Sequence, residues 1–193
     1  MKIFFDTEFT GLHKNTTLIS IGLVDENGKT FYAEFSDYDE SQCDDWIKEN
    51  VINNLKLGKY EHFSVSQENT EVYGSKNFIM KHLSNWLSEY DEVELISDCC
   101  HYDMVLFIDI FGGAFDIPKN VNPVCHDINQ DIAKKFEITE CEAFDLSREE
   151  IIEKYNKSIQ EWLPDYEGIH IEGDKHNSLY DAKVINVIYN IIK

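Results

Sequence analysis

Residues 1–35 hold three strand-like segments in succession, and this opening limits what the chain can fold into. Lys2 to Asp6 is a short apolar run. Thr17-Leu18-Ile19-Ser20-Ile21-Gly22-Leu23-Val24 alternates between polar boundaries and reads as a second strand. Asp25-Glu26-Asn27-Gly28 contains an Asn-Gly pair, the strongest short-range hairpin signal. Thr30-Phe31-Tyr32-Ala33-Glu34-Phe35 then returns as a third strand. Three strands joined by short turns make an antiparallel meander, which commits the chain to a sheet before any helix appears.

The periodicity then lengthens. Ser41-x-x-Asp44 resembles a capping signal, with Trp46, Ile47, Val51, Ile52 and Leu55 following at helical spacing. Gly58 to Asn69 reads as a loop. Phe78, Ile79, Leu83, Trp86 and Leu87 mark a helix from about Ser75 to Tyr90. Val93 to Ser97 is a fourth strand, so a helix and then a strand follow a meander, which implies a crossover adding a parallel strand. Tyr102 to Phe111 is a largely apolar helix stopped by Gly112-Gly113. Pro118 to Pro123 reads as a loop, Val124 to Ile128 as a short fifth strand, and Ile132, Ala133 and Phe136 as the next helix. Residues 137–175 carry twelve acids against four basic residues and are expected to form an insertion or lid, with a capping box at Ser147-x-x-Glu150 and a helix end at Trp162-Leu163-Pro164. Asn177 is placed to cap a last helix through Leu179, Ala182, Ile185, Val187, Ile188 and Ile191. The reading is a single domain over residues 1–193, with an α/β fold and helices flanking a mixed sheet.

Lys and Arg total 17 and Asp and Glu total 37, a formal charge of -20. Such a surface repels duplex nucleic acid, so any contact with a polyanion must be local and cation-assisted. Five cysteines stand in no repeated C-x-x-C spacing, which argues against a disulfide framework and for a reducing, cytoplasmic setting. Cys99, Cys100, His101, Cys125 and His126 also lack the ligand spacing of a structural zinc site. No apolar run approaches the ~20 residues that a membrane helix needs.

The chemistry starts where the first strand surfaces. Asp6 and Glu8 lie two residues apart, so on a strand they share a face. Two carboxylates that close repel unless a cation neutralises them, and hard divalent ions such as Mg²⁺ prefer oxygen-only ligation. Asp103 begins the helix after the fourth strand. If that strand pairs beside the first, Asp103 opens onto the same crevice, outside the strand ends where ligands of α/β sheets gather. Asp181 lies one turn into the last helix and joins them only if that helix packs across the same edge.

Asp6-Thr7-Glu8-Phe9-Thr10-Gly11-Leu12 resembles the D-x-E-x-T-G-L opening of the DEDD 3′-5′ exonuclease superfamily. His176-Asn177-Ser178-Leu179-Tyr180-Asp181 resembles its H-x-x-x-x-D third motif, which marks the DEDDh branch, and Tyr102-Asp103 resembles the core of the second. The motifs stand in the family's order at both ends and in the middle, and the chain looks most like the small RNase T-like exoribonucleases. The resemblance implies an RNase H-like fold. It also implies two Mg²⁺ or Mn²⁺ ions held by Asp6, Glu8, Asp103 and Asp181, with His176 as general base. The turn at Thr10, Gly11 and Leu12 would hold the terminal nucleotide, with Phe9 and Phe107 as candidate stacking surfaces. One departure stands out: many members carry Asn four residues before the second-motif Asp, where this chain has Cys99.

The expected activity is hydrolysis of single-stranded RNA or short oligonucleotides from the 3′ end to nucleoside 5′-monophosphates. Two alternatives are a DNA-specific exonuclease and a non-catalytic nucleic-acid-binding member of the fold. A homodimer is a further expectation, with the Trp46 or Trp86 helix as a possible face.

Overall fold

A computed structural model describes all residues from Met1 to Lys193. Strands β1 (Lys2–Phe9) and β2 (Leu18–Asp25) pair antiparallel with Phe4 opposite Val24, Asp6 opposite Gly22 and Glu8 opposite Ser20. Directly opposed residues lie on one face of a sheet, so this register decides what stands beside each acid. β3 (Thr30–Phe35) completes the meander, as the Asn-Gly turn predicts. The crossover prediction also holds: β6 (Val93–Ser97) runs parallel to β1, with Ile3 opposite Leu95. With β4 (His62–Val65), β5 (Asn69–Gly74) and β7 (Val121–Asp127), the strands form one seven-stranded mixed sheet in the order β4-β5-β3-β2-β1-β6-β7.

The helices divide between the two faces. Ile3, Phe5, Ile21 and Leu23 pack against α2 (Lys76–Leu87) and α3 (Cys100–Ile110). Phe4, Val24 and Ile96 pack on the opposite face. Their partners are α4 (Ile128–Phe136), α5 (Glu140–Asp145), α6 (Arg148–Gln160) and α7 (Ser178–Ile192). A short α1 (Asp45–Asn50) covers Ile19 through Ile47 and the following Val51. No helix is long and apolar enough to cross a membrane.

Several boundaries differ from the sequence-based expectation. β1 continues past Asp6 to Phe9, so both acids lie within a paired strand. The stretch from Gly58 to Asn69 contains β4, an edge strand whose residues face solvent on nearly every side and so carry no alternation to read. β7 begins at Val121 and includes Pro123, which an edge strand tolerates. α1 is capped by Asp44, which accepts from the Ile47 amide at 2.8 Å, and not by Ser41. Residues 148–160 form one helix, capped by Ser147 as expected, and Ala143, Ile151 and Ile152 of this region are buried in the second core. Trp86 is buried and offers no face to a partner.

The tightest approach in the fold is between α7 and β2. A Cβ on Gly22 would lie 2.3 Å from the Leu179 amide nitrogen and 2.4 Å from the Ser178 carbonyl carbon. Beside it, the hydroxyls of Ser20 and Ser178 are hydrogen-bonded at 2.9 Å in a buried position. The missing side chain lets the first turn of α7 rest directly on the sheet. Gly22→Ala is expected to destabilise the fold by about 1–3 kcal/mol through overpacking against backbone that has nowhere to move. Urea unfolding at equal m-value checks this, and a ΔΔG below ~0.5 kcal/mol would contradict the tight seat.

Candidate active site

Four acids from three separate segments meet at the C-terminal end of β1. Asp6 and Glu8 come from the strand, on the face that carries Gly22 and Ser20. Because α7 is seated on those two residues, its first turn delivers Asp181 to the same place. Asn177 caps this helix, accepting from the Tyr180 amide at 3.3 Å. Its own amide nitrogen donates to the Tyr32 hydroxyl at 2.9 Å, and that hydroxyl donates to the buried Glu34 at 2.8 Å. A chain of buried polar groups thus runs from β3 to the residue just before α7.

Asp103 arrives from the other face of the sheet, on the first turn of α3. It is 1% exposed and both of its oxygens are satisfied. Oδ1 accepts from the Thr7 hydroxyl at 2.6 Å and Oδ2 accepts from the Ser97 hydroxyl. Thr7, between the two strand acids, therefore fixes the third acid beside them. The position four residues before Asp103 is Cys99, which forms no side-chain cap on α3.

The carboxylates sort into two sets. Asp6, Asp98 and Asp103 offer oxygens that all lie within 4.8 Å of one another, and Glu8, Asp181 and the His176 ring do the same. Both sets line one pocket of about 500 Å³, with Phe9, Cys99, Arg148, Lys175 and residues 144–147 on its walls. A larger apolar pocket of about 820 Å³, lined by Phe136, Ile138 and Tyr155 among others, gathers no comparable acid set.

Burial, with crowding added, raises the carboxyl groups of Asp6, Glu8, Asp103 and Asp181. Burial, with the charges of Asp103, Asp181 and Glu8 adding to it, holds Asp6 well above the usual carboxylate range. Burial and then Asp181 and Asp103 push Glu8 up to about 8. Asp103 rises to about 7 through burial, against the pull of the Ser97 and Thr7 hydrogen bonds. Asp181 rises to about 7 through burial and the Asp98 charge, while the His176 amide, donating to it at 2.9 Å, works the other way. Four acids that resist ionising together form a site fitted to a multivalent cation, and an all-oxygen set suits Mg²⁺ or Mn²⁺.

His176 sits just ahead of the α7 cap, with φ of 63°. This left-handed conformation is uncommon for a residue with a side chain. The edge of its ring meets Trp46 with centroids 5.0 Å apart. Burial, and then the Lys175 charge, lower its pKa below the ordinary imidazole value, so the ring is neutral at pH 7 and free to accept a proton.

The other sequence-predicted residues are placed unevenly. Phe9 lines the pocket and is stacked on Tyr102, with centroids 5.1 Å apart and planes 11° from parallel. Leu12 is 77% exposed on the adjoining turn. Thr10 is buried, and its hydroxyl donates to the distant Gln42 side chain at 2.5 Å and accepts from the Thr17 amide at 2.9 Å. The Gly11 amide is likewise committed to Thr16 at 3.0 Å. Phe107 is fully buried between Phe5 and Phe111 and presents no surface for a base, which corrects its reading as a stacking residue. Sequence reasoning missed Asp98 and Arg148. The signal for the first was an acid leaving a strand three residues after buried Leu95.

Comparison with known proteins agrees with this geometry. Residues 1–192 match the family described as the 3′-5′ exoribonuclease Rv2179c-like domain. Two Mycobacterium tuberculosis proteins, the 3′-5′ exoribonuclease Rv2179c of strain H37Rv and MT2234.1 of strain CDC 1551, are each 26% identical over 132 residues, which is 67% of this chain and 73% of theirs. Among solved structures, the nuclease domain of 3′hExo, a DEDDh family member bound to rAMP, aligns with TM-score 0.57 and 14% identity over 97% of this chain and 88% of that one. The Mg²⁺- and Mn²⁺-bound form of S. pombe Pop2p aligns with TM-score 0.55 and 16% identity over 97% and 81% of the two chains. A 3′-exonuclease in 3′-end specific recognition of histone mRNA stem-loop aligns with TM-score 0.59 and 13% identity over 99% of this chain, which spans 63% of that one's length. The fold is that of the DEDDh exonucleases. The chain belongs to the Rv2179c-like 3′-5′ exoribonuclease family.

The raised carboxyl groups set a pH dependence. Their folded pKa values exceed the unfolded ones, so ionising them costs folding free energy as pH rises from about 4 through the value near 8 for Glu8. Metal-free protein is expected to lose melting temperature from about pH 5 to pH 8, with a smaller loss in Glu8→Gln and almost none with saturating Mn²⁺. At pH 7 the binding of Mn²⁺ should release protons, seen in calorimetry as a binding heat that changes with the ionisation enthalpy of the buffer.

Proposed function

We propose that this chain removes nucleotides one at a time from the 3′ end of single-stranded RNA, using two divalent ions held by Asp6, Glu8, Asp103 and Asp181. The observation that carries this reading is the gathering of the acids and the His176 ring into two compact sets within one pocket, Asp6, Asp98 and Asp103 in one and Glu8, Asp181 and His176 in the other. Two Mg²⁺ or Mn²⁺ ions at such a site would stabilise the attacking and leaving oxygens of an in-line displacement at phosphorus.

The chain's own residues supply the rest. His176, neutral near pH 7 and within reach of Glu8 and Asp181, takes the proton of the attacking water at a ring nitrogen. Thr7 and Ser97 hold Asp103 so that it need not reorganise during turnover. The leaving group is the 3′-oxygen of the penultimate nucleotide, and the product is a nucleoside 5′-monophosphate. Phe9, braced by Tyr102, offers an aromatic platform at the pocket wall, and Leu12, exposed on the adjoining turn, would wedge against the terminal base. The -20 charge disfavours long electrostatic contact with the strand, so recognition concentrates on the last few nucleotides.

A 3′-trimming assay on 5′-labelled single-stranded RNA and its DNA twin, with Mg²⁺, tests this reading. Stepwise shortening of the RNA, abolished by Asp6→Asn, is expected. His176→Gln should lower kcat by about 10²–10⁴-fold and leave Mn²⁺ affinity within a few-fold of the parent; equal losses in both would remove the general-base role. Rates on oligonucleotides of graded length should level off after a few nucleotides, and a steep continuing climb would contradict end-restricted recognition.

A further inference from the structure

Arg148 is the only arginine among the 193 residues, beside sixteen lysines. Its guanidinium is turned inward, with the side chain 11% exposed, and spans four partners. Nε donates to Asp98 Oδ2 at 3.1 Å, Nη1 to the carbonyls of Ala143 at 2.8 Å and Leu146 at 3.0 Å, and Nη2 to Asn129 Oδ1 at 2.5 Å. Asn129 in turn donates to the Asp98 carbonyl at 2.8 Å. Asp98 is thereby held by side chain and backbone at once, while its Oδ1 accepts no hydrogen bond. Asp98 is also the acid that completes the set with Asp6 and Asp103. A lysine could not make this arrangement, because a single ammonium lacks the planar fork that reaches a carboxylate, two carbonyls and an amide together.

We propose that Arg148 is the positioning residue of the metal site: it fixes Asp98 so that the free carboxylate oxygen faces the ion shared by Asp6 and Asp103. This rests on the metal-dependent reading above. It also gives the segment around α5 and α6 a role at the site, because the end of α5 and the start of α6 are tied to the loop after β6 through one guanidinium.

Position and charge predict opposite signs, which makes the inference testable. A cation beside an acid cluster repels incoming Mn²⁺, so on charge alone removing Arg148 tightens metal binding. If Arg148 acts by holding Asp98, removing it weakens binding, at about the 10–100-fold typical of groups that orient metal ligands. Mn²⁺ titration calorimetry on the purified protein, alongside thermal melts that report folding separately, distinguishes these cases. Arg148→Met, Arg148→Lys and Asp98→Asn are each expected to bind Mn²⁺ at least tenfold more weakly, and the Arg148→Met/Asp98→Asn pair no more weakly than the worse single variant. Asp98→Asn leaves Arg148 its other three acceptors, so it keeps the test decisive should Arg148→Met fail to fold. Unchanged or tighter Mn²⁺ binding in folded Arg148→Met, full affinity in Arg148→Lys, or parental affinity in Asp98→Asn would overturn the proposal. Absence of Mn²⁺ binding or RNA trimming in the parent protein would instead overturn the reading on which it rests.

Discussion

The seat of α7 on β2 is the contact on which the rest of this architecture depends. Nothing larger than the hydrogen of Gly22 fits beneath the backbone of Ser178 and Leu179. That close approach places Asp181 next to Asp6 and Glu8, since Gly22 and Ser20 are the register partners of those acids. Apolar packing by Phe4, Val24, Ala182 and Ile185 holds the helix down, and the Ser20–Ser178 hydrogen bond fixes its position along the strand. Burial supplies the energy here, and the missing side chain supplies the geometry.

The site gathers strain of a different kind. Acids from β1, α3 and α7 are packed where water is scarce, and each raises the cost of ionising the next. Hydroxyls of Thr7 and Ser97 and the His176 amide partly offset this by donating to carboxylate oxygens. The protein core thus meets the cost of assembling the cluster beforehand, and a divalent cation bound among the four acids would relieve it. This is the usual relation between a preorganised polar site and the stability of the scaffold around it.

Much of this was legible in the sequence because the main determinants are local. Strand alternation, an Asn-Gly turn and helical spacing placed β1 to β3, α2, β6, α3 and α7, and the acids stand at fixed offsets within those elements. The parts that escaped are those decided by neighbours. β4 is exposed along its length and gains its hydrogen bonds only from β5, so no periodicity marks it. Phe107 looks like any apolar helix residue until packing shows which face it occupies. Thr10 reads as a ligand-facing hydroxyl, whereas Gln42, more than thirty positions away, captures it. Asp98 and Arg148 are ordinary surface-type residues in sequence, and only the fold closes the fifty positions between them.

The acids of this pocket are contributed from positions 6 to 181, and that separation has a consequence for the order in which the site is assembled. Domains emerging from a ribosome begin to fold from their N-terminal side, and the meander with β6 and α3 can form while the last helix is still unmade. Such a nascent chain holds three of the four acids and has no His176 and no lid of backbone over Gly22. The acid cluster is therefore assembled only when α7 docks over Gly22 and brings Asp181 to the strand acids, so the sheet exists before the site does.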